Sequence, residues 1–341
     1  MKKTILLFVM LMLKVSYAQT NVDQLLELGI ENAQRFSTDY FAPAGEALVN
    51  SMSNGWYKTA KVKKLWRFEV GFVGNLSFVR EEKQSFALNA AEYNGLSIRN
   101  PDTSPGSDPF VPSVQVANAF GGDQGDIVVV LNQGVVQAEI TLPDGIGAKE
   151  VNIAPTGFLQ ASMGISRSTE IKARFLPKIA VRENTEVFLY GLAVQHELTD
   201  WIFSWKRLPF RFSGLIGYTS VRGFYDFAAD SGTDGADQEI RLKSNSWLVS
   251  GIISTKLPKF NFYGGFGYYT GNSTADVLGT YRVENGPLAL QTLEDPISVD
   301  NKTSGLKATI GANVKLGLFR ANLDYTLQNY QNLSIGLNFG W

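Results

Sequence analysis

The last residues of the chain, Gln331 to Trp341, constrain its fold most. Leu333, Ile335, Leu337, Phe339 and Trp341 alternate with Ser334, Gly336, Asn338 and Gly340. A period of two is a strand, here with one apolar face and one face of small and polar residues. A soluble domain rarely finishes on a fully apolar strand face. A barrel closed within lipid needs such a face on its closing strand.

The same alternation recurs along the chain. Trp66, Phe68, Val70 and Phe72 alternate with Arg67, Glu69 and Gly71, and Ile171, Ala173 and Phe175 with Lys172 and Arg174. Phe210 and Phe212 flank Arg211, while Leu306, Ala308, Ile310, Ala312, Val314 and Leu316 alternate with Lys307, Thr309, Asn313 and Lys315. Ala321, Leu323, Tyr325 and Leu327 alternate with Arg320, Asn322, Asp324 and Thr326. Several of these runs approach the ten or so residues that cross a bilayer at a tilt, longer than the about five or six of a sandwich strand. No backbone group can stay unpaired in lipid, so such strands must close into a ring. Connections also alternate in length. Leu257 to Lys259 and Gly317-Leu318 read as tight turns, Phe224 to Lys243 and Asn272 to Thr303 as long loops. The expected fold is therefore an all-β, antiparallel transmembrane β-barrel of 10–14 strands. Fourteen is the favoured count if the four strand-like runs between Glu81 and Leu142 join the ring, and ten if that region is a folded insertion. A soluble β-sandwich is the alternative, since alternation alone does not say which face points out.

The front of the chain differs. Lys2 and Lys3, the apolar run Thr4 to Leu13 and the small residues Ser16 and Ala18 fit a signal peptide over residues 1–18. Such a start implies export after cleavage, and the strand pattern of the mature chain gives the expected destination, the outer membrane of a Gram-negative-type envelope. Leu25, Leu28, Asn32, Phe36 and Tyr40 then follow helical spacing, with Pro43 expected to end the helix. Residues 19–60 are expected to be a helical plug segment and residues 61–341 the barrel.

If the apolar faces meet lipid, the other faces line a lumen. Its candidate ligand-facing residues are Arg67, Glu69, Lys172, Arg174, Arg211, Lys307, Lys315, Arg320 and Asp324. That set is mostly basic. The helical segment carries the acids Asp23, Glu27, Glu31 and Asp39. An acidic plug pairing with a basic wall is one expectation, and charges that merely solvate a polar interior the other. With no cysteine, thiol chemistry and Cys-based zinc sites are excluded. The sole histidine, His196, has no elbow-like serine motif near it, so no catalytic residue, metal site or cofactor is expected. A formal net charge of −1 gives no reason to expect nucleic acid as a partner.

Asn54-Gly55-Trp56-Tyr57-Lys58-Thr59-Ala60 before the first strand, Ile171 to Pro177, and Gly191 to Trp201 with His196 resemble an uncharacterised family of outer-membrane barrels with an N-terminal helical segment. More distantly the chain is similar to FadL-type long-chain fatty-acid transporters, which implies an N-terminal hatch and a hydrophobic small-molecule ligand. Leu333, Ile335, Leu337, Phe339 and Trp341 resemble the signal by which such barrels meet the barrel-assembly machinery. Outer-membrane lipid is the other implied partner. Passage of small hydrophobic or amphipathic molecules is the function this resemblance implies. A non-transporting barrel that scaffolds surface or secretion machinery is the alternative.

Overall fold

A computed structural model describes residues 21–340, apart from 105, 123–124, 134–135, 146–151, 183, 202–206, 227–234 and 284–285. The expected signal peptide, residues 1–18, and Trp341 of the expected assembly signal lie outside the described residues.

Two helices come first, α1 (Asn21–Leu26) and α2 (Ile30–Met52). The ring is built from β1 (Phe68–Phe78), β8 (Ile153–Gly164), β9 (Thr169–Arg182), β10 (Thr185–Glu197), β11 (Phe210–Asp226), β12 (Gly235–Thr255), β13 (Phe260–Arg282), β15 (Ile297–Leu316), β16 (Phe319–Leu327) and β17 (Asn332–Gly340). Every neighbour is antiparallel, β1 seals against β17, and β12 pairs with β13 to close the circle. The short β14 (Thr292–Glu294) hangs on β13.

The barrel thus has ten strands, not fourteen. Between β1 and β8 the chain leaves the ring and folds separately. Strands β2 (Ser85–Asn89) and β5 (Ser113–Ala117) pair as one small sheet. Strands β3 (Leu96–Arg99), β4 (Phe110–Val111), β6 (Val128–Gln133) and β7 (Val136–Thr141) form a second. These strands are too short to cross a bilayer.

Face polarity separates the barrel from a sandwich. On β17 Ile335, Leu337 and Phe339 are about half exposed, while Asn332, Ser334 and Asn338 are buried. Leu192, Phe266 and Ile310 stand outward in the same way. Apolar outside and polar inside inverts a water-soluble sheet and is what a hydrocarbon surround requires.

The two ends of the ring differ. At one, the turn end, β15 and β16 are joined by Gly317-Leu318, and β17 finishes opposite the start of β1. The insertion leaves at the other, the cap end. The expected long loops there are largely strand. Strands β12, β13 and β15 run 21, 23 and 20 residues, about twice a membrane crossing. Past the pair Thr270 and Ser304, the polarity of the faces reverses. Val277, Tyr281, Ile297 and Val299 turn inward, buried, while Ser298 and Asp300 are exposed. The inward residues join Leu26 and Phe36 of the helices, Leu28 of the turn between them and Leu88, Ile98, Val129 and Ile140 of the insertion in one water-type hydrophobic core.

Helix α2 runs straight through Pro43, contrary to the expected break. A proline leaves the carbonyl four residues back, here that of Asp39, without its N–H partner. The neighbouring Tyr40 and Ala42 carbonyls accept from outside the helix, from Ala119 N–H at 3.0 Å and Asn301 Nδ2 at 3.1 Å, which ties this stretch of α2 to its surroundings. The chain instead breaks at Gly29, whose φ of 84° suits glycine.

Candidate functional site

The N-terminal segment threads the barrel. Helices α1 and α2 start in the cap-end core, α2 ends at Met52 deep in the lumen, and residues 53–67 descend to the turn end. There Leu65 bridges to Gly164 and Trp66 N–H donates to the Gly164 carbonyl.

Two wall cations hold the end of α2. Arg174, on β9 and only 2% exposed, donates Nη1 to the Met52 carbonyl at 2.9 Å, Nη2 to the Asn54 carbonyl at 2.6 Å and Nε to Gln160 Oε1 at 2.8 Å. Its guanidinium lies 3.5 Å from the Trp56 ring centroid and 4.3 Å from that of Phe158. Lys307, on β15, donates to the Ser53 carbonyl at 2.9 Å and to Asn54 Oδ1. The last carbonyls of a helix lack partners and carry the negative end of its dipole, so buried cations are favoured there. Gly55 follows with φ 72°, and a Cβ on it would meet Val73 Cγ1 at 2.5 Å.

Below this clasp the chain is held by ion pairs. Lys58 and Lys63 reach Glu69 of β1 at 2.5 and 3.5 Å, and Lys63 also reaches Glu170 of β9 at 3.4 Å. Lys172 pairs with Glu170 at 2.7 Å and Arg320 with Glu69. The descending segment is therefore basic and its wall partners acidic, the opposite polarity to an acidic helix on a basic wall. Glu31 instead accepts from Asn94 of the insertion at 2.5 Å, and Asp39 is exposed near Arg35. Burial, the larger effect, raises the Asp39 carboxyl above its usual range, and Arg35 opposes it. Glu27 is partly buried beside Gly286; Asp23 lies on α1, and its side chain is outside the described residues.

The other wall candidates divide between lumen and mouth. Asp324 is buried and accepts from Tyr263 Oη at 2.7 Å. Arg211 pairs with Glu197 at 2.6 Å, whose other oxygen accepts from Val62 N–H at 3.2 Å. Arg67 and Lys315 are exposed at the turn end. His196 lies toward that end too, its Nδ1 2.9 Å from Thr169 Oγ1 and its ring against Trp201.

At the turn end the lumen opens into a cavity of about 610 Å³. The descending segment lines it with Lys58, Lys61, Lys63, Lys64 and Arg67. The wall and its turns add Arg211, Lys256, Lys259, Lys315 and Arg320. Against these, Glu69 is the one carboxylate among the described lining residues. Burial holds the Lys61 ammonium below its usual range, and Arg211, Lys315 and Lys64 lower it further against the opposing pull of Glu197.

Glu170 and Lys63 were not singled out from sequence, and Trp56 and Lys58 stood there only within the Asn54–Ala60 resemblance, with no site role assigned. The lysine-dense run Lys58 to Lys64, directly before the first strand, was the available signal. So were Leu248 and Ile252, inward-facing apolar residues that pack with Trp56, Tyr57 and Ala60.

A threaded segment held in a ten-strand ring extends over nearly the whole chain, and so does one family match. The chain belongs to the "Family of unknown function (DUF6588)", over residues 1–341. No protein of curated function matches it in sequence. Among solved structures it is similar to the outer-membrane protein OprG of Pseudomonas aeruginosa. That match has 11% identity over 82% of this chain and 98% of OprG, with a TM-score of 0.31. A FadL homologue of the same organism matches at 9% identity over 81% of this chain and 89% of its own, with a TM-score of 0.22. The translocator domain of the autotransporter NalP from Neisseria meningitidis matches at 10% over 80% and 88%, with a TM-score of 0.25. At such scores the fold assignment rests on the strand pairing above.

Proposed function

We propose that the protein is an outer-membrane barrel that passes small amphipathic acids, with residues 21–66 as its gate. The signal-peptide-like start supports export, and the short-turn end is assigned to the periplasm, as is general for such barrels. One observation carries the passage reading. The lower half of the plug is held by side-chain ion pairs, Lys58 and Lys63 on Glu69 and Glu170, and faces directly onto the basic cavity. An acid entering that cavity competes for the same cations by charge-assisted hydrogen bonds. The apolar part of a ligand would follow Trp56, Tyr57, Leu248 and Ile252.

The upper half of the plug favours the scaffold reading. Leu26, Leu28 and Phe36 sit in one core with the insertion, which fastens the helix to the cap. A permanently closed barrel that presents this cap to a protein partner would use the same contacts.

Conductance in planar bilayers separates the two. The passage reading expects a closed or weakly conducting intact protein, and open channels when Glu69→Gln and Glu170→Gln are combined. Equal, negligible conductance in the intact protein, in that variant and in a chain lacking residues 21–53 would remove the gate. A stoichiometric protein co-purifying with the intact chain would then favour the scaffold.

A further inference from the structure

We propose that the basic cavity at the turn end is a binding site for a phosphate group, carried by a lipid headgroup or by a soluble molecule. It rests on the passage reading only for its orientation and adds the chemistry of the charged group. The inference starts from cations without partners. Glu69 is already engaged by Lys58, Lys63 and Arg320, so it offers nothing to the rest. Among the described residues no ion pair engages Lys61, Lys64, Arg67, Lys259 or Lys315, yet all five face one cavity. Like charges gathered in a concave space repel, and a multiply charged anion relieves several of those repulsions at once. A single carboxylate relieves fewer. The volume, about 610 Å³, lies within the usual range for small-ligand sites.

Position allows both sources. Leu257 and Leu318 line the cavity and are about half exposed, and Leu316, also exposed, borders it. An apolar rim beside lysines and arginines matches the depth of a phospholipid headgroup, with acyl chains along the outer wall. The cavity mouth equally admits a soluble phosphate from the aqueous side.

The test uses the full mature chain in nonionic detergent at low salt. Inorganic pyrophosphate is titrated by calorimetry, and phosphatidylglycerol retention is read by native mass spectrometry. Both are repeated on the triple variant Lys61→Gln, Lys64→Gln, Arg67→Gln and on Lys315→Gln, which alters β15 instead of the descending segment. None of these residues takes part in the ion pairs that hold the plug. Unchanged β-sheet circular dichroism and heat-modifiable gel mobility verify the fold, and the single variant keeps the test open if the triple variant misfolds. Pyrophosphate binding that weakens about tenfold or more in the triple variant supports a soluble phosphate ligand. Phosphatidylglycerol retention lost in the variants, without pyrophosphate binding, supports a lipid ligand. No binding of either probe, or equal binding by the variants, overturns the site whatever the conductance experiment shows.

Discussion

At the scale of single residues, Arg174 is the side chain on which the lumen turns. It meets the carbonyl of the last residue of α2 and one just past it, a glutamine and two aromatic faces, with almost no solvent. Replacing it with methionine keeps bulk but leaves the Met52 and Asn54 carbonyls short of donors. The expected cost is about 3 kcal/mol or more, read as a lower urea midpoint in detergent. Gly55→Ala is expected to cost about 1–3 kcal/mol in the same assay, because φ 72° and Val73 both oppose a side chain. Lys61 gives a pH signature. Its depressed pKa means that the folded protein binds fewer protons there than the unfolded chain. Stability without anion therefore rises with pH, from the depressed value up to the ordinary lysine range. Pyrophosphate affinity has the opposite slope and falls across the same window as the charge is lost. Arg211, Lys64, Lys315 and Glu197 are the charged groups that face Lys61. Lys61→Arg is expected to move the fall in affinity to higher pH, as followed by calorimetry.

At the scale of elements, the plug is two devices in series. Its upper half belongs to an apolar core and its lower half to an ion-pair network. Glu69→Gln with Glu170→Gln removes every ion pair that Lys58, Lys63, Lys172 and Arg320 make among the described residues. The expected result is protease cleavage within residues 53–66 while the cap-end core stays intact, mapped by mass spectrometry. The strand pattern in the membrane was legible because lipid outside and polar groups inside force strict alternation, as on β17. Above the membrane that logic reverses, so the upper parts of β12, β13 and β15 read as loops. Pro43 misled for a different reason: α2 is held on both sides of it by residues far away in sequence, through Phe36 in the cap-end core and Met52 in the lumen. The lumen side of the wall was legible as a set of alternating charges. Their partners were not, since a carbonyl at the end of α2 leaves no mark in the sequence.

At the scale of the whole molecule, the insertion explains the difference between ten strands and fourteen. Its strands are as apolar as the barrel's, but their hydrophobic faces are spent on a core shared with α1 and α2. A chain that starts in that core and leaves the lumen at the turn end places the beginning of α2 and the end of the descending segment on opposite sides of the membrane. This threading is the central claim, and the absence of native cysteine makes it directly measurable. Glu31→Cys and Lys64→Cys, each a single cysteine, can be expressed in intact cells. Both are then treated with a maleimide on a polymer too large to cross the outer membrane. The threaded barrel predicts labelling of Glu31→Cys from outside, and labelling of Lys64→Cys only after the envelope is opened. Labelling of both from outside, or of neither until the envelope is opened, would contradict it.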